Sequence, residues 1–191
     1  MDEASTTIVT DDSDVSTFSW WGCSKYYDHC WEGTNKADKK KAKDVSTFMN
    51  GRGGNDKLTG GSKNDKLEGN DGKDKLDGGS GNDELQGGKG NDTLIGANGN
   101  DKFEDDEGKN VFTGGKGDDL FIIDDDDDGF VKVTDFNSKE DKLQIDDDYK
   151  KFEDMSMKVK GGNLQIRLDG EYVAELIGIT KPLTNSMIVW D

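Results

Sequence analysis

The sequence predicts an all-β fold, a parallel solenoid or β-roll, and three observations carry that reading. Residues 51–122 divide into eight consecutive nine-residue units without an insertion. Nineteen of the 26 glycines fall inside that block. The eighth residue of every unit is apolar: Leu58, Leu67, Leu76, Leu85, Leu94, Phe103, Phe112 and Phe121. A fixed short period of this kind marks a stacked repeat, in which each unit buries its apolar face only against its neighbours.

Each nonapeptide combines a turn with a short strand. Its first six residues are glycine-rich and suit positive φ, which glycine adopts without steric cost. Asn, frequent at position five, is expected to share that tolerance. The last three residues alternate polar, apolar, polar, as in a strand with one buried face. Two units make an 18-residue coil with a strand on each side, and coils stack at about 4.8 Å. Leu58, Leu76, Leu94 and Phe112 then line one inner face, and Leu67, Leu85, Phe103 and Phe121 the other.

Position six carries the chemistry. It is Asp56, Asp65, Asp74, Asp83, Asp92, Asp101, Asn110 and Asp119. Stacking gathers Asp56, Asp74, Asp92 and Asn110 along one edge, and Asp65, Asp83, Asp101 and Asp119 along the other. Such rows repel at short range unless a cation lies between them. The repeats hold neither His nor Cys, so a soft or borderline metal is poorly served, whereas Ca²⁺ takes six to eight oxygens in an adaptable shell. Carbonyls of the turn glycines, Gly54, Gly72, Gly81, Gly90, Gly99 and Gly117, are the expected further ligands. Pairing alternate units yields six pairs, so about five or six ions are expected, weakest where Asn110 removes a charge. Lys63 replaces the position-four glycine of the second unit, and Asp105-Asp106 opens the seventh, so both turns are expected to be irregular.

This block resembles the RTX, or haemolysin-type, calcium-binding repeat. The resemblance implies a right-handed β-roll with Ca²⁺ between its turns. It also implies export by type I secretion through an uncleaved C-terminal signal. It covers 51–122 strongly and 123–180 more weakly, where Val133-Thr-Asp-Phe136 and Glu140-Asp-Lys-Leu143 are similar to the segment that flanks such rolls.

Beyond the repeats, three segments are expected: 1–50 as an N-terminal cap holding the cysteines and many aromatics, 51–122 as the roll, and 123–191 as a β-rich C-terminal cap. In the last, Gly161-Gly162 and Asp169-Gly170 separate alternating apolar runs, which reads as a three-stranded meander. The closing run, Met187 to Asp191, reads as the end of a secretion signal or as a last strand. Asp124–Asp135 overlays an EF-hand loop, but position twelve is Asp and the flanks read as strands, so a solvated acidic loop fits best, with an extra Ca²⁺ site of another kind in this acid run as the alternative. Asp44-Val-Ser-Thr-Phe48 repeats Asp14-Val-Ser-Thr-Phe18, and Thr34–Lys43 suits a short helix. Cys23 and Cys30 fit a disulfide, free thiols, or a zinc site with His29, which would lack a fourth ligand. Trp20, Trp21, Tyr26, Tyr27 and Trp31 fit either packing over the first coil or stacking on sugar rings.

The formal charge of −17 argues against nucleic acid and anionic membranes as partners. No run approaches a membrane span, and the first residues lack a cleaved signal peptide. The single histidine excludes a two-histidine zinc-protease motif, and no G-x-S-x-G elbow or phosphate loop is present. The expected protein is therefore a non-catalytic, secreted, monomeric calcium-binding module that folds on Ca²⁺ outside the cell. The alternatives are an adhesin or polysaccharide-binding module, or the C-terminal part of a secreted enzyme or toxin. The initial Met argues mildly against the last.

Overall fold

The computed structural model describes residues 26–104, 107–124, 129–146, 155–168 and 170–190. Every named element in it is a strand. Three short strands precede the nonapeptides: β1 (His29–Glu32), β2 (Lys39–Lys41) and β3 (Thr47–Asn50). The nonapeptides then contribute one strand each: β4 (Lys57–Thr59), β5 (Lys66–Gly72), β6 (Lys75–Ser80), β7 (Glu84–Gly90), β8 (Thr93–Asn98), β9 (Lys102–Glu104), β10 (Lys109–Lys116) and β11 (Leu120–Asp124). Six more follow: β12 (Phe130–Val133), β13 (Lys142–Asp146), β14 (Ser156–Lys160), β15 (Asn163–Leu168), β16 (Glu171–Leu176) and β17 (Ile188–Trp190).

Strands alternate between two sheets, as one strand on each side of an 18-residue coil requires. One sheet runs β1-β3-β5-β7-β9-β11-β13-β17, and the other β14-β15-β16-β12-β10-β8-β6-β4-β2. All pairings are parallel except β14 with β15 and β15 with β16, which form the antiparallel meander expected at the C-terminal end. That meander joins the roll through β16, which pairs in parallel with β12. The final run also joins it, because β17 pairs with β13 and places Ile188 beside Leu143.

The register follows the repeat. Leu58, Leu76, Leu94 and Phe112 stand opposite one another in successive strands, and Val133 continues the column. Leu67, Leu85, Phe103, Phe121 and Leu143 form the second column. All of these side chains are buried. The thin core thickens toward the C-terminal end, where Phe103 stacks on Phe121 with ring centroids 4.9 Å apart and lies 5.5 Å from Phe112.

The solenoid extends N-terminally beyond Gly51. Trp31, Met49 and Leu67 stand in register, as do Lys40 and Leu58. Lys40 ends its column: its ammonium sits 5.8 Å from the centre of the Trp31 ring, so a long stem covers the last apolar layer. The expected helix over Thr34–Lys43 does not form. Its lysines satisfy helix propensity, but pairing of β2 with β4 overrides a weak local preference.

The turns differ from expectation in one respect. Among the described residues, the non-glycines at positive φ are Arg52, Asn70 and Ala97, all at position two, and none is a position-five asparagine. Position-five asparagines serve instead as acceptors between coils. The amide oxygen of Asn82 receives the N–H of Asn100 at 3.0 Å, and that of Asn64 receives the N–H of Asn82 at 2.9 Å.

Candidate metal centre

Position four needs glycine for two reasons. Gly54, Gly72, Gly81, Gly90, Gly99, Gly108 and Gly117 all have φ between +105° and +149°. A Cβ at Gly90 would also overlap the carbonyl oxygen of Gly72, one coil earlier, and Gly99 and Gly117 stand in the same relation to Gly81 and Gly99. The position-four carbonyls therefore face the following turn. Position one is close-packed as well: a Cβ at Gly78 would strike Oδ2 of Asp83, and at Gly96 that of Asp101.

The position-six residues stand in two continuous rows. In each, Oδ1 accepts the backbone N–H of the position-six residue one coil earlier. Asp56 donates to Asp74 at 2.6 Å, Asp74 to Asp92 at 2.7 Å, and Asp92 to Asn110 at 2.6 Å. In the second row Asp65 donates to Asp83 at 2.8 Å, Asp83 to Asp101 at 2.8 Å, and Asp101 to Asp119 at 2.9 Å. The rows run past the repeats identified by sequence. Asp38 and Thr47 donate into their N-terminal ends, and Asp119 donates to Asp141 at 3.1 Å. Asp38 and Asp141 were missed because their units lack the glycine pattern. Counting in nines back from Gly51 does place Asp38 at position six, whereas extra residues in the intervening segment put Asp141 out of phase.

The other carboxylate oxygen is the unusual one. Oδ2 of Asp56, Asp74, Asp83, Asp92 and Asp101 is buried without a hydrogen-bond partner. An ionised carboxylate buried this way costs on the order of several kcal/mol. Burial accordingly pushes Asp83, Asp92 and Asp119 up to about 7, and Asp56 and Asp101 up to about 6. Backbone N–H donors oppose the shift, and neighbouring carboxylates of the same row add to it for Asp56, Asp83, Asp92 and Asp119. Burial also raises Asp65, Asp74 and Asp141.

These orphaned oxygens fit a hard divalent cation. The repeats contain neither His nor Cys, so they offer a metal no imidazole or thiolate ligand. Among the described residues no three His, Cys, Asp or Glu side chains converge on one point, so a complete shell must draw on backbone carbonyls. Such a mixed shell suits Ca²⁺.

The remaining sequence candidates fare variously. Cys30 is disulfide-bonded, which removes it as a zinc ligand; Cys23, Trp20, Trp21 and residues 14–18 lie outside the described residues. Trp31 is a core residue and offers no face to a sugar. Tyr27 packs on Phe48, and Tyr26 is exposed. Within Asp124–Asp135, residues 125–128 lie outside the described residues, and strands β11 and β12 flank them where an EF-hand needs helices. Asp135 is occupied otherwise, taking the N–H groups of Gly114 and Gly115 at 2.9 Å each. The Asp105-Asp106 pair also lies outside the described residues. No helix among the described residues is long and apolar enough to cross a membrane.

The family model of the RTX calcium-binding nonapeptide repeat matches four times, at residues 50–85, 77–104, 86–121 and 95–129. No curated protein sequence matches the chain. Among solved structures it is similar to the extracellular lipase LipA from Serratia marcescens, at 16% identity and a TM-score of 0.37, over 75% of this chain. The chain spans 40% of that lipase. Repeat, register and family match agree: residues 50–129 match the RTX calcium-binding nonapeptide repeat, and the described residues of that stretch fold as a parallel β-roll.

Proposed function

We propose that this chain is a non-catalytic module whose roll is completed by Ca²⁺ held between its turns, and that it folds only where Ca²⁺ is abundant. The observation that carries this reading is the set of buried, unpartnered Oδ2 atoms on Asp56, Asp74, Asp83, Asp92 and Asp101. A bound divalent ion would neutralise them where the protein supplies no donor. Position-six carboxylates and the carbonyls of Gly54, Gly72, Gly81, Gly90, Gly99 and Gly117 would hold the ions. When bound, Ca²⁺ supplies charge neutralisation and cross-links between coils. The chain's own contribution is to place Oδ1 on the ladder and leave Oδ2 free.

Calcium dependence favours an extracellular setting. Extracellular Ca²⁺ modules bind at about 10⁻⁴ to 10⁻³ M, far above cytosolic levels. A ligand that binds only the native state stabilises it by mass action. The chain would remain unfolded inside the cell, pass through a type I exporter, and fold outside as a monomer. Far-UV circular dichroism during a Ca²⁺ titration, with Mg²⁺ as control, tests the reading. Loss of β signal in chelator and its cooperative return with Ca²⁺ are expected; equal β content in both conditions would refute it.

A further inference from the structure

Three described turns depart from the rest in the same way, and each has lysine at position four. In the second nonapeptide that residue is Lys63. Counting in nines back from Gly51, Gly33 occupies position one, Lys36 position four and Asp38 position six. In the turn after the repeats, Lys139 precedes Asp141 by the same two residues. None of Lys36, Lys63 and Lys139 adopts positive φ, whereas the position-four glycines from Gly54 to Gly117 all do. A side chain at that position disfavours the left-handed backbone by about 1–2 kcal/mol, so the turn forms differently.

The consequence falls on the carboxylate. In each lysine turn the position-two amide points inward and donates to Oδ2 of position six. Thr34 donates to Asp38, Gly61 to Asp65 and Asn137 to Asp141, each at 2.7 Å. Where glycine holds position four, the Oδ2 atoms of Asp56, Asp74, Asp83, Asp92 and Asp101 have no partner. In the eighth nonapeptide, with Gly117 at position four, the position-two amide (Gly115) is bound by Asp135 and not by Asp119.

We propose that the residue at position four decides which turns take an ion: glycine leaves Oδ2 open to Ca²⁺, whereas lysine lets the chain's own amide occupy that place. Asp65 is then not a metal ligand, although its row and spacing are regular. Asp38 and Asp141 are sealed in the same way. The sealed residues lie at the ends of the rows: Asp38 begins the first, Asp65 lies beside Thr47 at the start of the second, and Asp141 closes it. At the far end of the first row Asn110 carries no charge, and its side-chain amide faces the Glu107 carbonyl at 3.5 Å. The rows therefore end on residues that need no cation, and ions are confined to the interior.

This inference rests on calcium binding as proposed above, and one set of measurements separates the two. Native mass spectrometry of the full chain in saturating Ca²⁺ would count ions for the wild type and for Asp65→Asn, Asp83→Asn and Lys63→Gly. Asp65→Asn is expected to keep the wild-type count, Asp83→Asn to lose one ion, and Lys63→Gly, which frees the left-handed turn, to gain one. An ion lost from Asp65→Asn, or an unchanged count in Lys63→Gly, overturns the rule while leaving calcium binding intact. A wild type that takes up no Ca²⁺ sinks the parent reading and this one with it. Amide hydrogen exchange in the calcium form supplies a second readout: the Gly61 N–H should be protected in the wild type, where Oδ2 of Asp65 accepts it, and lose that protection in Lys63→Gly.

Discussion

The backbone N–H of Asp74 donates to Oδ1 of Asp92 at 2.7 Å, one coil further along, while Oδ2 of the same carboxylate has no partner. One side chain thus performs two separable tasks. Its first oxygen holds two coils in register, and its second is left without a donor.

Substitutions at Asp92 should separate those tasks. Asp92→Asn keeps the acceptor and removes the charge, so it should raise the Ca²⁺ midpoint and lower thermal stability at saturating Ca²⁺ only by what the lost ion contributes. Asp92→Ala also leaves the Asp74 N–H buried and unpaired, which costs about 1–3 kcal/mol more. Calorimetry of both variants across a Ca²⁺ series checks this. Identical melting temperatures at saturation would show that the ladder bond contributes nothing.

Acidity should act in opposite directions on the two states. Asp83, Asp92 and Asp119 are pushed up to about 7 in the ion-free fold, against about 3.9 when unfolded. The ion-free fold therefore binds more protons than the unfolded chain between those values. Its stability is greatest below about pH 4 and declines as pH rises toward 7. In chelator, β signal should increase on acidification from pH 8 to pH 5. Protons also compete with Ca²⁺ for the same oxygens, so the Ca²⁺ midpoint should be higher at pH 6 than at pH 8. Flat profiles in both experiments would contradict the assignment of these carboxylates.

Packing should matter most where the aromatic rings meet. Phe103 is fully buried between Phe112 and Phe121. Phe103→Ala should cost about 3–5 kcal/mol at saturating Ca²⁺. Chemical denaturation gives the value directly, and a loss below about 1 kcal/mol would mean the layer collapses to fill the gap.

Glycines should divide by neighbour as well as by φ. At Gly90 a Cβ would overlap the Gly72 carbonyl, so Gly90→Ala should prevent the roll from closing even at high Ca²⁺. Gly170 also has positive φ, at +88°, but nothing lies within 4 Å of a Cβ there. Gly170→Ala should cost only the local backbone penalty, about 1–2 kcal/mol. Circular dichroism of the two variants side by side distinguishes them.

Strand spacing, the two inner columns and the position-six rows were legible because they are periodic. A nonapeptide period sends Leu58 and Leu67 to opposite sheets and brings Leu76 back over Leu58, whatever the details of the turns. The antiparallel end was legible for a similar reason, since Gly161-Gly162 interrupts an alternating run. The first coils were not. Lys40 and Trp31 replace the repeat's leucines, and Lys39–Lys41 reads locally as helix; only pairing with β4 makes it a strand.

Composition and period alone thus determine the parallel roll and the two lines of acidic side chains, because both follow from which residues recur at which interval. Whether a given carboxylate has a free oxygen is a matter of the tertiary structure. Asp65 and Asp83 occupy the same position in the repeat, yet one meets the Gly61 amide and the other meets no donor. That difference arises from the backbone torsions at Gly61 and Lys63, which orient an N–H bond. A one-letter sequence records the residue at position four but not the direction in which the neighbouring amide then points.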